Sequence, residues 1–448
     1  MGSTPASMRF CMVTTFYPPY SFGGDALFVQ RLSRELAARG HRVDVVHGTD
    51  AYRLLGGAEP AEVAPEPPGI TVHALASRAG FLWPLAMQQT GGPAFAARRL
   101  RTLLEGDFDV IHFHNVSLIG GAGVLTYGRA LKLYTMHEYW LVCPMHVLFR
   151  HGREPCERRT CFTCALAHKR PPQLWRRTNW LESAAAHVDA FLALSAFSAD
   201  AHRSRGFHAD VRVVPPFAPR VDDTAARRAP SARPYFLFAG RLETIKGPQT
   251  LIGHFAGASG PQLWIAGRGS LDGALRRMAA GHPRIRFLGY VSEPRLSELF
   301  RDAEALLVPS LAHEVFPLVI LEAFRRATPV VARRLGGMTE AVESSGGGFV
   351  YTTESELDAI IGTLLGNPFL RARLGALGRA AFEERWTPDA ATYVERKAWD
   401  RHGGLSDGFM QRNIDFSVEM GVLKPGMTPA AAEDRRYLNA VLAEIGRQ

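Results

Sequence analysis

No stretch of this 448-residue chain stays apolar long enough to span a membrane, which sets aside the helical membrane-spanning classes. The opening Met1-Gly2-Ser3-Thr4-Pro5-Ala6-Ser7 lacks the charged-then-apolar order of a secretory signal, so the expected location is cytoplasmic. Met8, directly ahead of the first apolar strand, reads as an alternative start. There is no internal repeat and no long low-complexity tract. Basic residues are scattered, and outside 150–177 they are not interleaved with aromatics as a nucleic-acid surface requires. The formal charge of +9 therefore points to a small anionic ligand, or to peripheral contact with an anionic membrane, and no nucleic-acid partner is expected.

Cysteine is scarce as well. Of five, four fall in one segment: Cys143, Cys156, Cys161 and Cys164. Cys161-Phe162-Thr163-Cys164 is a Cys-x2-Cys half-site suited to tetrahedral Zn²⁺, and Cys143 and Cys156 complete four thiolates. The surrounding stretch, about 143–172, is rich in Arg and Pro with little periodicity, as in an insertion that needs a staple. Free or paired thiols and an iron–sulfur cluster are the alternatives, disulfides being disfavoured in a reducing compartment. His146, His151 and His168 are spare ligands, and Cys11, within an apolar strand, reads as a buried hydrophobe.

What is present in quantity is α/β alternation. The length predicts two domains of roughly 200 residues each. Phe10-Cys11-Met12-Val13-Thr14 reads as a strand, a Pro- and Gly-rich loop ends at Gly23-Gly24, a helix follows to Arg39, and Val43-Asp44-Val45-Val46 is the next strand. That opening is Rossmann-like. Further strands end at His114, at His137 and at Ser195. The boundaries read as a first domain over 1–217, a second over 218–386 entered through a linker at 218–233, a helix over 387–402, and an extension over 403–448 to which no role is given.

The second half carries the chemistry. Tyr235-Phe236-Leu237-Phe238-Ala239 is a buried-strand pattern followed by Gly240-Arg241-Leu242-Glu243-Thr244-Ile245-Lys246-Gly247 and a helix-opening Pro248. Such a strand–turn–helix unit sets Arg241 and Lys246 beside a phosphate site at the carboxyl end of a parallel sheet. Two more strands end in glycine, at Ala266-Gly267-Arg268-Gly269 and at Leu288-Gly289-Tyr290-Val291. In His313-Glu314-Val315-Phe316-Pro317-Leu318-Val319-Ile320-Leu321-Glu322, a loop acid and a helix acid flank a proline placed in the first helical turn, at a helix mouth that favours an anion. Leu335-Gly336-Gly337 follows the next strand. Each motif alone is weak, and their joint order is the signal.

The Glu-x7-Glu pair and the ordered motifs around it resemble the retaining glycosyltransferases of family 4, of GT-B fold: α/β, two Rossmann-like domains with parallel sheets facing across a cleft. The resemblance implies transfer of a sugar, a hexose in the first place, from a nucleoside-diphosphate sugar to an acceptor hydroxyl of a glycan, lipid or small natural product. It implies that Arg241 and Lys246 neutralise the departing diphosphate, that Glu314 holds donor-sugar hydroxyls, and that Glu322 holds the ribose. Gly23, Gly24, Gly240, Gly267, Val291, Phe316, Pro317 and Leu318 would bring backbone against the donor. His137 would lie close to the donor sugar, and His114 on the acceptor side. Two departures stand out: Glu138 replaces the usual Asp after His137, and Phe316-Pro317 replaces Phe-Gly, removing a backbone donor. No catalytic metal is expected. Asp107-Phe108-Asp109 has the Asp-x-Asp form used for metal in the other main glycosyltransferase fold, but its place before a strand suits a turn. The competing readings are an epimerase or phosphorylase of the same fold, and a zinc-stabilised nucleic-acid-binding protein.

Overall fold

The structure, a computed structural model, describes residues 7–60, 65–221, 234–256 and 260–389. The first half builds a seven-stranded sheet from β1 (Arg9–Thr14), β2 (Arg42–Gly48), β3 (Ile70–Leu75), β4 (Val110–Phe113), β5 (Leu131–Met136), β8 (Ala190–Ala193) and β9 (Val211–Val213). Their order is β3-β2-β1-β4-β5-β8-β9, and every pairing is parallel. Central strands such as β4 are buried at every position, His112 included, as parallel strands covered on both faces must be. A two-stranded antiparallel ribbon, β6 (Phe149–Arg150) with β7 (Glu154–Pro155), stands apart in the cysteine-bearing insertion.

The second half repeats the plan. Strands β10 (Tyr235–Ala239), β11 (Gln262–Ala266), β12 (Ile285–Gly289), β13 (Leu306–Val308), β14 (Val330–Arg333) and β15 (Gly348–Tyr351) form a parallel sheet ordered β12-β11-β10-β13-β14-β15. Two parallel α/β units were expected, and two are present. Ligand-binding loops in such sheets lie at the carboxyl ends of the strands, and the motifs fall there. Helix α1 (Gly24–Ala38) begins directly after Gly23, and Gly40, at φ +88°, ends its turn; helix α2 (Cys161–Ala167) follows β7 in the insertion.

The halves meet through polar and apolar contacts. Ser195 Oγ donates to the Val315 carbonyl at 2.7 Å. Glu340 accepts the amides of Ala196 and Phe197, each at 3.0 Å, and so satisfies from the other domain the start of helix α3 (Ala196–Arg203). Tyr139 and Leu194 share one apolar cluster with Val315, Phe316 and Ile320. The Ala218 amide donates to the Trp386 carbonyl at 2.9 Å, so the chain leaves the first domain and ends the second at one place. Asp389 lies 3.6 Å from Arg39 of the first domain, in line with a chain that returns there. Most of the helix expected over 387–402, most of the linker over 218–233, and all of 403–448 lie outside the described residues. No helix among the described residues is long and apolar enough to cross a membrane.

Candidate active site

At the carboxyl edge of the second sheet, a short helical turn (Thr244–Lys246) closes on Gly247. Gly247 has φ +72°, and a Cβ there would stand 2.1 Å from the Pro309 carbonyl oxygen, so glycine alone fits. That turn brings Lys246 Nζ to 2.6 Å from Glu314 Oε1, and Ser310 Oγ donates to the same oxygen at 2.8 Å. Burial alone would raise the Glu314 carboxyl; Lys246, Ser310 and Arg241 outweigh it and hold Glu314 below the usual carboxylate range. Arg241 stays exposed, a free fork beside this pair. Gly267, at φ +137°, would place a Cβ 1.8 Å from the Gly240 carbonyl oxygen, so the two glycine loops lie in contact.

Glu322 lies on α4 (Leu318–Phe324) as expected, but Pro317 does not belong to the first helical turn. It is the residue before the helix, at φ −75° and ψ 113°, extended rather than helical. Seven residues also give little dipole, so the charge at this mouth comes from Lys246 and Arg241. Phe316 is buried with its ring 5.9 Å from that of Trp386, so only its backbone can meet a donor. A Cβ on Gly24 would stand 3.3 Å from Leu318, which shows how closely the first-domain loop approaches α4. Val291 is partly buried against the core beyond β12. Glu322 Oε1 accepts from Arg31 of α1 at 2.9 Å, across the cleft. Sequence reasoning passed over Arg31, Asp25 and Ser310. Arg31 had a signal, an arginine within the buried stripe Phe28, Val29, Leu32.

On the first-domain side, His137 follows β5 and His114 follows β4. They were placed on the donor and acceptor sides respectively, yet they touch each other: His114 Nδ1 lies 2.9 Å from His137 Nε2. His114 is 1% exposed and its Nε2 has no partner, so it backs His137 rather than facing an acceptor directly. Phe28 packs on His137, and Asn115 Nδ2 donates to Asp25 Oδ2 at 3.3 Å. Burial pushes His137 down to about 4, partly opposed by Asp25, and His112 down to about 3, with repulsion from His137 adding to the fall. His114 is lowered by burial and by its two histidine neighbours. Glu138, which replaces the usual Asp, bonds His146 at 2.8 Å and stands aside. Asp109 of the Asp-x-Asp accepts the Arg9 amide at 2.8 Å, a structural use.

These neutral histidines set an acid limit. Their folded pKa values lie below the ordinary 6.5, so the unfolded chain binds more protons as pH falls below that point. Their contribution is complete above about 6.5 and is lost as pH drops through 6.5 toward 4, at about 1.4 kcal/mol per pH unit for each proton. The melting temperature is expected to fall steadily over that window and to vary less above it. Thermal unfolding in a pH series checks this, and a flat profile from pH 6.5 to 4 contradicts it.

Among the described residues no set of three or more His, Cys, Asp or Glu side chains is arranged to hold a metal ion. Of the four insertion cysteines, Cys143 and Cys164 are buried, Cys156 half-buried and Cys161 exposed.

The glycosyltransferase family 4 model matches residues 22–219, and the model for glycosyl transferases group 1 matches 233–367. The D-inositol 3-phosphate glycosyltransferase of Xylanimonas cellulosilytica is 31% identical over 409 residues, covering 83% of this chain and 91% of that protein. The chain belongs to the family 4, group 1 glycosyltransferases. The glycogen synthase of Mycobacterium tuberculosis is 28% identical to this glycosyltransferase over 75% of the chain and 80% of its own length. Sucrose-phosphate synthase from Thermosynechococcus elongatus superposes with a TM-score of 0.67 at 20% identity, covering 88% of this chain and 98% of its own. Anabaena HepE, solved with UDP and glucose, gives 0.61 at 19% identity over the same shares. The fold of this glycosyltransferase is GT-B, as the sequence led one to expect.

Proposed function

We propose that this glycosyltransferase moves a hexosyl group, with retention, from a nucleoside-diphosphate sugar to an acceptor hydroxyl of a glycan, lipid or small natural product. The observation that carries the reading is the Lys246–Glu314–Ser310 cluster, with Arg241 open beside it, at the strand ends of the second domain. A diphosphate leaving group gains negative charge as the glycosidic bond breaks, and fixed cations stabilise that charge most where water is excluded. Arg241 and Lys246 supply it. Glu314, kept ionised, accepts hydrogen bonds from donor-sugar hydroxyls, and Glu322 on α4 receives the ribose. The nucleotide and glucose bound by HepE support a donor of this class. The five unpaired cysteines fit a cytoplasmic setting.

In a retaining transfer the acceptor attacks the face that the diphosphate leaves, and a phosphate oxygen takes the hydroxyl proton. His137 lies too close to neutral to act as a cation, so it serves as a hydrogen-bonding wall against the sugar. Because the chain provides the positive charge itself, transfer is expected to persist in EDTA. A thermal-shift and hydrolysis screen over UDP-, GDP-, ADP- and TDP-sugars identifies the donor. The product from an α-linked donor should be α-linked. An anomeric NMR coupling that shows inversion refutes the mechanism, and no response to any nucleotide sugar refutes the donor class.

A further inference from the structure

Helix α1 of the first domain and helix α4 of the second lie against each other. Leu318, which opens α4, packs on the first-domain apolar cluster that holds Phe28, Val29 and Leu32 of α1. A Cβ on Gly24, which opens α1, would stand 3.3 Å from that same Leu318. About two turns further along α1 comes Arg31, and about one turn further along α4 comes Glu322. There Arg31 Nη2 donates to Glu322 Oε1 at 2.9 Å. The ion pair thus stands beside an apolar contact that sets one helix against the other.

Arg31 is committed to this carboxylate. Its side chain is 6% exposed, and its Nη1 is sealed from solvent without a partner. The second anion near it, Glu293 at 3.4 Å, is 65% exposed, so solvent screens that pair; Glu322, at 13%, is screened far less. Separating Arg31 from Glu322 leaves an enclosed cation with only the screened carboxylate, so the pair persists when a ligand arrives. Glu322 has no substitute for Arg31 either. Arg325, just after α4, lies 3.6 Å from Glu293 and donates to the Pro219 carbonyl at 3.3 Å. Among the described residues Arg31 alone donates a hydrogen bond to Glu322, while Glu322 Oε2 has no partner and is not sealed from solvent. One oxygen is fixed and the other is open.

We propose that Arg31 is a positioning residue for donor recognition, holding Glu322 by Oε1 so that Oε2 is presented to the ribose hydroxyls. The inference rests on the reading of Glu322 as the group that receives the ribose. A glutamate free to rotate gives up rotamer freedom when it binds a hydroxyl, and one held beforehand gives up less. Arginine suits the task, because its planar fork holds a carboxylate in a fixed direction as a lysine ammonium does not. The residue that completes the ribose site then belongs to the domain that does not carry it. Recognition of the ribose depends on α1 being docked on α4.

The test is titration calorimetry on the full chain with UDP, GDP and ADP, each set against its 2′-deoxy and 3′-deoxy forms. The wild type should prefer one ribo form over a deoxy counterpart by on the order of 10-fold, as a hydrogen bond to a charged group contributes. Arg31→Met should remove that preference as far as Glu322→Gln does, and the double variant should lose no more than either alone. Arg31→Lys keeps a cation without the fork, should retain part of the preference, and carries the comparison if Arg31→Met does not fold. Thermal unfolding of each variant separates lost binding from lost structure. A folded Arg31 variant with the full wild-type preference overturns this inference alone and leaves the donor class standing. Losses that add in the double variant, or that fall equally on ribo and deoxy forms, do the same. A wild type without any ribose preference overturns the role of Glu322, and that of Arg31 with it.

Discussion

Lys246→Ala lowers the rate of transfer on the order of 10²–10³-fold while the protein stays folded. The side chain leaves a turn that Gly247 pins against Pro309, so its ammonium is fixed before any donor arrives. Removing it subtracts a cation from the leaving diphosphate and the strongest partner from Glu314. With only Ser310 and Arg241 left, burial raises the Glu314 carboxyl toward protonation. The variant should therefore lose activity and also some stability near neutral pH, with less further loss on acidification than the wild type, since only a carboxyl held below its unfolded value stabilises the fold above that value and ceases to do so as pH falls through the folded one. Steady-state kinetics with unfolding curves read both. Wild-type turnover in a folded variant would sink the assignment of Lys246. Glu322→Gln is expected to weaken transfer in the same direction, through the ribose.

His137→Ala is the second large effect, on the order of 10²-fold in kcat, with nucleotide affinity changed by a few-fold at most. On the proposed reading the ring, carried by the first domain, meets the sugar, whereas Arg241 and Lys246 of the second domain meet the phosphates. Its orientation depends on His114, so His114→Gln should lower kcat less and leave nucleotide binding intact. Titration calorimetry with the free nucleotide, set against turnover, separates the two. Equal losses in nucleotide affinity and in kcat would place His137 on the nucleotide instead.

The motifs of the proposed donor half were legible because each lies in one short segment and the backbone demands of Gly247 and Gly267 leave no substitute. The Arg31–Glu322 pairing was not legible: the two lie 291 residues apart, and no local pattern links them. Pro317 was placed one step too far into its helix because proline fixes φ and leaves ψ free, and both conformations share that φ. Strand β3 went unread because it is mostly solvent-facing, so Thr71, Val72 and His73 make no apolar run. The His114–His137 contact needed β4 and β5 to be adjacent, which is a fact of sheet order rather than of sequence.

The seam between the domains has a consequence for building hybrids within this family. Arg31 answers Glu322, Glu340 answers the Ala196 and Phe197 amides, and Ser195 answers Val315, each pair split between the halves. Grafting one half onto a foreign counterpart keeps every motif of the donor site yet separates these pairs, and the nearly enclosed Arg31 is the member least able to find water in exchange. Modularity in this enzyme therefore ends at the seam, and a working hybrid must carry both sides of each handshake.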